Sequence, residues 1–240
     1  VGGGAGMPIK TLLFDLDGTL YPNGNGYVRH CRARAAEFLS QAFGWSAEEA
    51  ELRRREALAA ANQTVRGLKV LGHDVDGEAL IEYMREGEDQ FLQPCPRMRA
   101  MLQALPQAKY VFTNTGEAPA RRALKCLGID DLFDGVFGAS FMGDACKPED
   151  RAFLSVLEAV GAKAEETAMF EDSLRNVVAC KRLGLTTVFI TCEDPEQGVA
   201  EVAAMGGEAV EVEAVADAIV QDVKLSHDTL RAALPHLFEA

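Results

Sequence analysis

The stretch LLFDLDGTLYPNG, residues 12–24, carries an apolar run into two aspartates, Asp15 and Asp17. Leu12-Leu13-Phe14 reads as the end of a buried strand, and Pro22-Asn23-Gly24 as a turn. Carboxylates at the exit of a buried strand are costly unless they are paired, hydrogen-bonded or bound to metal. The rest of the chain has to supply what compensates them.

Working outward, short apolar runs rich in branched and aromatic residues recur at 9–14, 110–113, 135–139, 168–170, 186–190 and 209–212. Helical patterns at 118–127, 149–160 and 173–183 lie between the later runs. Each ends at a glycine (Gly128, Gly161, Gly184) where a left-handed cap belongs. Pro148 suits a first helical position. Strand alternating with helix is the pattern of a parallel sheet covered on both faces, an α/β fold. Ligands of such sheets bind at the carboxyl ends of the strands.

Residues 23–94 break the alternation. Val28, Cys31, Ala35, Phe38, Leu39 and Ala42 recur at helical spacing. Ser46-Ala47-Glu48-Glu49 is a capping box ahead of a helix running to about Ala61. Asp76 can cap a third helix containing Leu80, Ile81 and Met84. The expectation is a small all-helical domain of three or four helices, inserted directly after the first strand. The core is then 7–22 and 95–240. Residues 1–6, Val-Gly-Gly-Gly-Ala-Gly, read as an expression scar or flexible lead, with Met7 a natural start. Ser226 is placed as the cap of a last helix.

Composition narrows the function. The net charge of −13 repels a phosphate polymer, so nucleic acid is not expected as a partner. No run approaches the roughly 18 apolar residues of a membrane span. Six cysteines without a CxxC pair read as reduced thiols of a cytoplasmic protein. His30, His73, His227 and His236 fall away from the strand ends, which leaves a histidine-based triad without support.

The strand ends carry a different set. Asp15 and Asp17 follow the first strand, Thr113-Asn114-Thr115-Gly116 the second, Lys147-Pro148 the third after a loop, and Glu171-Asp172-Ser173 the fourth. Carboxylates without soft ligands suit Mg²⁺. Lysine, threonine and backbone amides suit a phosphate. The set fits metal-assisted phosphoryl transfer.

The order DxDGT, TN, KP and an acidic pair resembles the haloacid dehalogenase-like superfamily, its phosphatase branch in particular, from Ile9 to about Ile190. The resemblance implies a three-layer Rossmann-like core with a helical cap. It implies that Asp15 is the nucleophile and forms an aspartyl-phosphate. Asp17 would be general acid and then base. Asp15, the backbone carbonyl of Asp17, and Asp172 would hold Mg²⁺, with Glu171 either a ligand or a support behind the ligands. Thr113 and the Asn114 amide would hold phosphoryl oxygens, and Lys147 would neutralise their charge and orient Asp15. Asp17 also speaks against dehalogenation, where no leaving alcohol needs a proton. A cap after the first motif implies a small phosphorylated substrate.

DLDGTLYP, VFTNTGEAPARRALKCLGIDDLFDGV, KP and FEDSLRNVVACKRLG together are similar to the pyrimidine 5′-nucleotidase-like subfamily. That implies a UMP- or CMP-like substrate, with Tyr27, Phe38, Phe43, Trp45, Tyr83 and Phe91 as the aromatic residues available to stack on a base. The alternatives are a sugar-phosphate phosphatase, a phosphomutase, or a non-catalytic binding protein on the same scaffold. The chain is expected to work as a monomer or homodimer.

Overall fold

The computed structural model describes residues 8–191, 211–221 and 227–238. Six strands form one parallel sheet in the order β3-β2-β1-β4-β5-β6. They are β1 Thr11–Phe14, β2 Ala108–Phe112, β3 Gly135–Phe137, β4 Thr167–Glu171, β5 Thr186–Ile190 and β6 Ala218–Val220. β1 is central, flanked by β2 and β4 in register Phe14 to Val111 and Phe14 to Phe170. The chain order reverses on either side of β1. A crevice therefore opens at the carboxyl end of this strand, where Asp15 lies.

Period-two alternation in β1 distributes the core. Leu12 and Phe14 pack to one side with helices α5 (Pro96–Gln103) and α6 (Glu117–Leu127). Leu13 packs to the other with α8 (Asp150–Val160) and α9 (Leu174–Arg182). A short helix α7, Ala139–Met142, precedes α8. Both faces are thus covered, which is why the strands read as apolar runs.

Between β1 and α5 lie α1 (Tyr27–Phe43), α2 (Ala47–Ala61), α3 (Thr64–Val70) and α4 (Gly77–Arg85). No strand is found among them. They share a cluster of their own: Ala35, Leu39, Ala50, Ala57, Leu68 and Leu80. Ser46 Oγ accepts from the Glu49 amide and Asp76 Oδ1 from the Ala79 amide, as their sequence positions suggest. α3 crosses α2 at Gly67, where a Cβ would stand 1.8 Å from the Ala57 carbonyl oxygen.

Three expectations need correction. Pro148 lies ahead of α8, not at its first position; Glu149 occupies the N-cap. The edge strand expected at 209–212 is not where the sheet ends. Residues 209 and 210 lie outside the described residues, Val212 opens a short helix, and β6 comes later, with its Ala218 and Val220 buried in the larger core cluster. Nor do the aromatic side chains of α1 line the cleft at the strand ends, as described below. Ser226 and residues 1–7 are also outside the described residues. No helix among the described residues is long and apolar enough to cross a membrane.

Candidate active site

Asp15 is 7% exposed, and its amide donates to the Phe170 carbonyl at 2.9 Å. Lys147, 1% exposed, donates from Nζ to Asp15 Oδ1 and to Glu171 Oε2, both at 2.7 Å. One cation serves two buried carboxylates. Burial pushes the Asp15 carboxyl up to about 7; Lys147 opposes this, while Glu171 and Asp17 add to it. Burial also works against the charge of Lys147, but Asp15 and Glu171 outweigh it and hold the ammonium above its ordinary value.

Asp15, Glu171 and Asp172 each bring a carboxylate oxygen within 4.8 Å of the others, and all three are buried. Lys147 alone leaves this group of acids short of positive charge. A set of hard oxygen donors fits a hard divalent cation. The surroundings leave no room for a side chain at Gly18. Its φ is +82°, and a Cβ there would lie 2.0 Å from Asp172 Oδ2. The same Asp172 oxygen accepts from Asn23 Nδ2 at 3.1 Å. The Asp17 carboxylate lies outside this acidic set; the part expected of Asp17 was its backbone carbonyl.

The second and third motifs are tied together. Asn114 Oδ1 accepts from the Lys147 amide at 2.9 Å, and Asn114 Nδ2 donates to the Lys147 carbonyl at 3.0 Å. The Asn114 side chain thus fixes the loop that delivers Lys147. Thr113 is buried, and its Oγ1 accepts from the Thr115 amide at 3.2 Å. Glu171 Oε1 accepts from the Ser173 amide at 3.0 Å, which fixes its other oxygen toward Lys147.

Asp17 points to the helical insert. Arg85, the last residue of α4, donates from Nη1 to Asp17 Oδ1 at 2.6 Å and from Nη2 to Asp17 Oδ2 at 2.7 Å. The Tyr21 hydroxyl also donates to Oδ1. Burial alone would raise the Asp17 carboxyl, but Arg85 and Tyr21 hold it below its ordinary value. Farther along, Gln63 Nε2 donates to the Asn114 carbonyl at 3.0 Å, and Arg66 pairs with Glu149. Arg175 Nη1 donates to Asn62 Oδ1 at 2.8 Å. The insert therefore touches the core beside each motif.

Sequence reasoning did not single out Arg85. A signal was available in the helical phase: Glu78, Ile81 and Arg85 share one face of α4, and Ile81 packs against Gly116 of the second motif. A cation on the core-facing side of a helix is the residue to ask about.

A cleft of about 2640 Å³ runs between insert and core. It is lined by the strand-end residues to which the resemblance gives a part in the chemistry: Asp15, Asp17, Thr113, Asn114, Lys147, Glu171 and Asp172. The six aromatic residues considered for base stacking do not line it. Tyr27 is buried in the main core with Phe91 against it, and Phe38, Phe43 and Trp45 pack on the cluster of the insert. Tyr83 lies under the Arg34 guanidinium, 3.9 Å from the ring centroid.

A sequence profile described as haloacid dehalogenase-like hydrolase matches residues 9–184. Phosphate metabolism protein 8 of Saccharomyces cerevisiae is 26% identical over 203 residues, 77% of this chain and 62% of that protein. The chain thus spans less than two thirds of that relative's length. A phosphoglycolate phosphatase of Neisseria gonorrhoeae is 27% identical over 197 residues, 76% of this chain and 80% of that one. Among solved structures, a HAD phosphatase from Thermococcus onnurineus superposes with a TM-score of 0.64 at 25% identity, covering 94% of this chain and 98% of the other.

Proposed function

The chain belongs to the haloacid dehalogenase-like hydrolases, and from that premise we propose that it is a Mg²⁺-dependent phosphomonoester hydrolase acting on a small phosphorylated metabolite. The observation that carries the proposal is the buried Asp15–Lys147–Glu171 cluster with Asp172 beside it. Phosphatases among the relatives support the same chemistry.

Asp15, Glu171 and Asp172 would hold the magnesium ion. The ion would supply charge that shields Asp15 from the incoming phosphoryl group. The residues do the rest. An Asp15 oxygen bonds to phosphorus as the bond from phosphorus to the ester oxygen breaks. Turned off the Arg85 fork into the buried site, Asp17 takes up a proton from solvent and gives it to the departing alkoxide. Water then attacks phosphorus, Asp17 takes the water proton, and Asp15 is released with inorganic phosphate. Lys147 and Thr113 steady the phosphoryl oxygens throughout.

Motif similarity makes pyrimidine nucleoside 5′-monophosphates the first substrates in our reading. With no aromatic side chain among the described residues that line the cleft, a base would rest on arginine or aliphatic side chains instead. Sugar phosphates and phosphorylated acids complete the test panel. Hydrolysis of p-nitrophenyl phosphate that EDTA abolishes and magnesium restores is the expected result. Hydrolysis unaffected by EDTA and by Asp15→Asn would overturn the proposal.

A further inference from the structure

The junction of α2 and α3, residues 61–66, touches the core beside three motifs at once, and the proposed function gives that contact no part. Gln63 Nε2 donates to the Asn114 carbonyl at 3.0 Å, in the second motif. Asn62 Oδ1 accepts from Arg175 Nη1 at 2.8 Å, in the first turn of α9 just after Glu171-Asp172. Arg66 Nη1 donates to Glu149 Oε1 and, at 3.1 Å, to Cys146 Sγ. The Cys146 thiol donates to the Ala61 carbonyl at 3.4 Å. Asn62 is the only non-glycine residue with a positive φ, +60°, among the described residues. Asparagine tolerates that left-handed conformation. Here it ends α2, and the next residue, Gln63, already reaches the core.

The contacts of Arg66 converge on one turn. Cys146 and Glu149 flank Lys147-Pro148, and the Glu149 amide closes the turn on the Cys146 carbonyl at 2.8 Å. From the core side, the Asn114 side chain grips the Lys147 amide and carbonyl. The backbone that delivers Nζ to Asp15 and Glu171 is thus held by Asn114 from one side and by Arg66 and Ala61 of the insert from the other.

We propose that Arg66 is a positioning residue for Lys147: it holds the 146–149 turn from the insert, so that Nζ stands between Asp15 and Glu171 only while the α2–α3 junction is seated on the core. The inference rests on the phosphatase reading above. Lys147 Nζ lies 2.7 Å from each carboxylate. A displacement of about 1 Å at such a group costs on the order of 10²-fold in rate. The Arg66–Glu149 pair, 33% and 37% exposed, adds little to stability. Its loss is therefore felt in rate rather than in melting temperature. The loss is also the same for every ester, because Lys147 serves the phosphoryl group that all of them share and not the leaving portion.

The test measures kcat/KM of Arg66→Gln with p-nitrophenyl phosphate and with every ester of the panel that wild type hydrolyses. Hydrogen exchange of the peptide carrying residues 146–149 is followed alongside. The expected result is a loss of about 10–100-fold, equal for all esters, with faster exchange in that peptide and an unchanged melting temperature. Glu149→Gln should behave in the same way, and the double variant should be no slower than the slower single one, since both act on one contact. Glu149→Gln also supplies every readout should Arg66→Gln fail to fold. Losses that differ among esters would make Arg66 a contact of the leaving portion and overturn the assignment. Unchanged kinetics or unchanged exchange in a variant with native circular dichroism, or additive losses in the double variant, overturn it too. No magnesium-dependent hydrolysis by wild type overturns the phosphatase reading instead, while the exchange measurement still tests the hold of Arg66 on the turn.

Discussion

The core end and the cap end of the site each set an aspartate against a cation, and the two pairs are built differently. At the core end, Asp15 shares Lys147 with Glu171, and all three are buried. At the cap end, Asp17 has both forks of Arg85 to itself, and its side chain is one-quarter exposed. Two carboxyl groups separated by one residue are therefore driven apart: Asp15 up to about 7, Asp17 below its ordinary value. The core pair lacks positive charge and has room for a metal. The cap pair is complete and must open to act.

Exchanging each aspartate separates the two ends most sharply. Asp15→Asn should lower kcat by at least ~10⁴-fold, because the nucleophile is gone. Asp17→Asn should lower it by about 10²–10⁴-fold, the scale of general acid–base catalysis. Steady-state assays with p-nitrophenyl phosphate check both. A smaller loss for Asp15 than for Asp17 would reverse the assignment.

Removing each cation is the next contrast. Lys147→Met leaves Asp15 and Glu171 facing each other without counter-charge and should destabilise the fold by about 3–5 kcal/mol. Arg85→Met exposes a partly hydrated Asp17 and should destabilise it by no more than about 1–2 kcal/mol. Urea unfolding in EDTA measures both, and equal losses would erase the distinction.

Acidity gives a third contrast. A carboxyl raised on folding binds its proton more tightly when folded, so its contribution is full below the ordinary value of 3.8 and is lost as pH rises through about 7. Asp17, lowered on folding, contributes above its ordinary value and loses that as pH falls. In EDTA, wild type minus Asp15→Asn should therefore show a melting temperature difference that declines from pH 5 to 8. A difference that grows over that range contradicts the arrangement. Ser46→Ala, which removes the N-cap bond to the Glu49 amide and touches neither pair, should remove about 1 kcal/mol and leave kcat/KM alone.

How much of this can be read in the sequence follows the same division. β1, β2, β4 and β5 are legible because buried parallel strands are apolar runs, and Asp15, Lys147 and Glu171 are legible because they follow such runs. β6 is not: Ala218-Ile219-Val220 is three residues in a stretch that fits a helix as well, and only pairing with β5 makes it a strand. α3 is hidden by the glycine at its centre, whose purpose is a close crossing with Ala57. Arg85 is hidden for a different reason. Its partner lies 68 residues away, and no local pattern distinguishes a cation aimed at the core from one in solvent. Aromatic residues at helical spacing in the insert turn out to be packing: Phe38, Phe43 and Trp45 close over the insert's small cluster of alanines and leucines, and Tyr27 and Phe91 join the main core.

Trapping the covalent intermediate tests the central claim most directly. Wild-type protein mixed with substrate and magnesium, then quenched into borohydride, reduces any acyl phosphate to the alcohol. The account predicts homoserine at position 15 and unchanged aspartate at position 17 by peptide mass spectrometry. Homoserine at 17, or an unmodified Asp15 in protein caught during turnover, would contradict it.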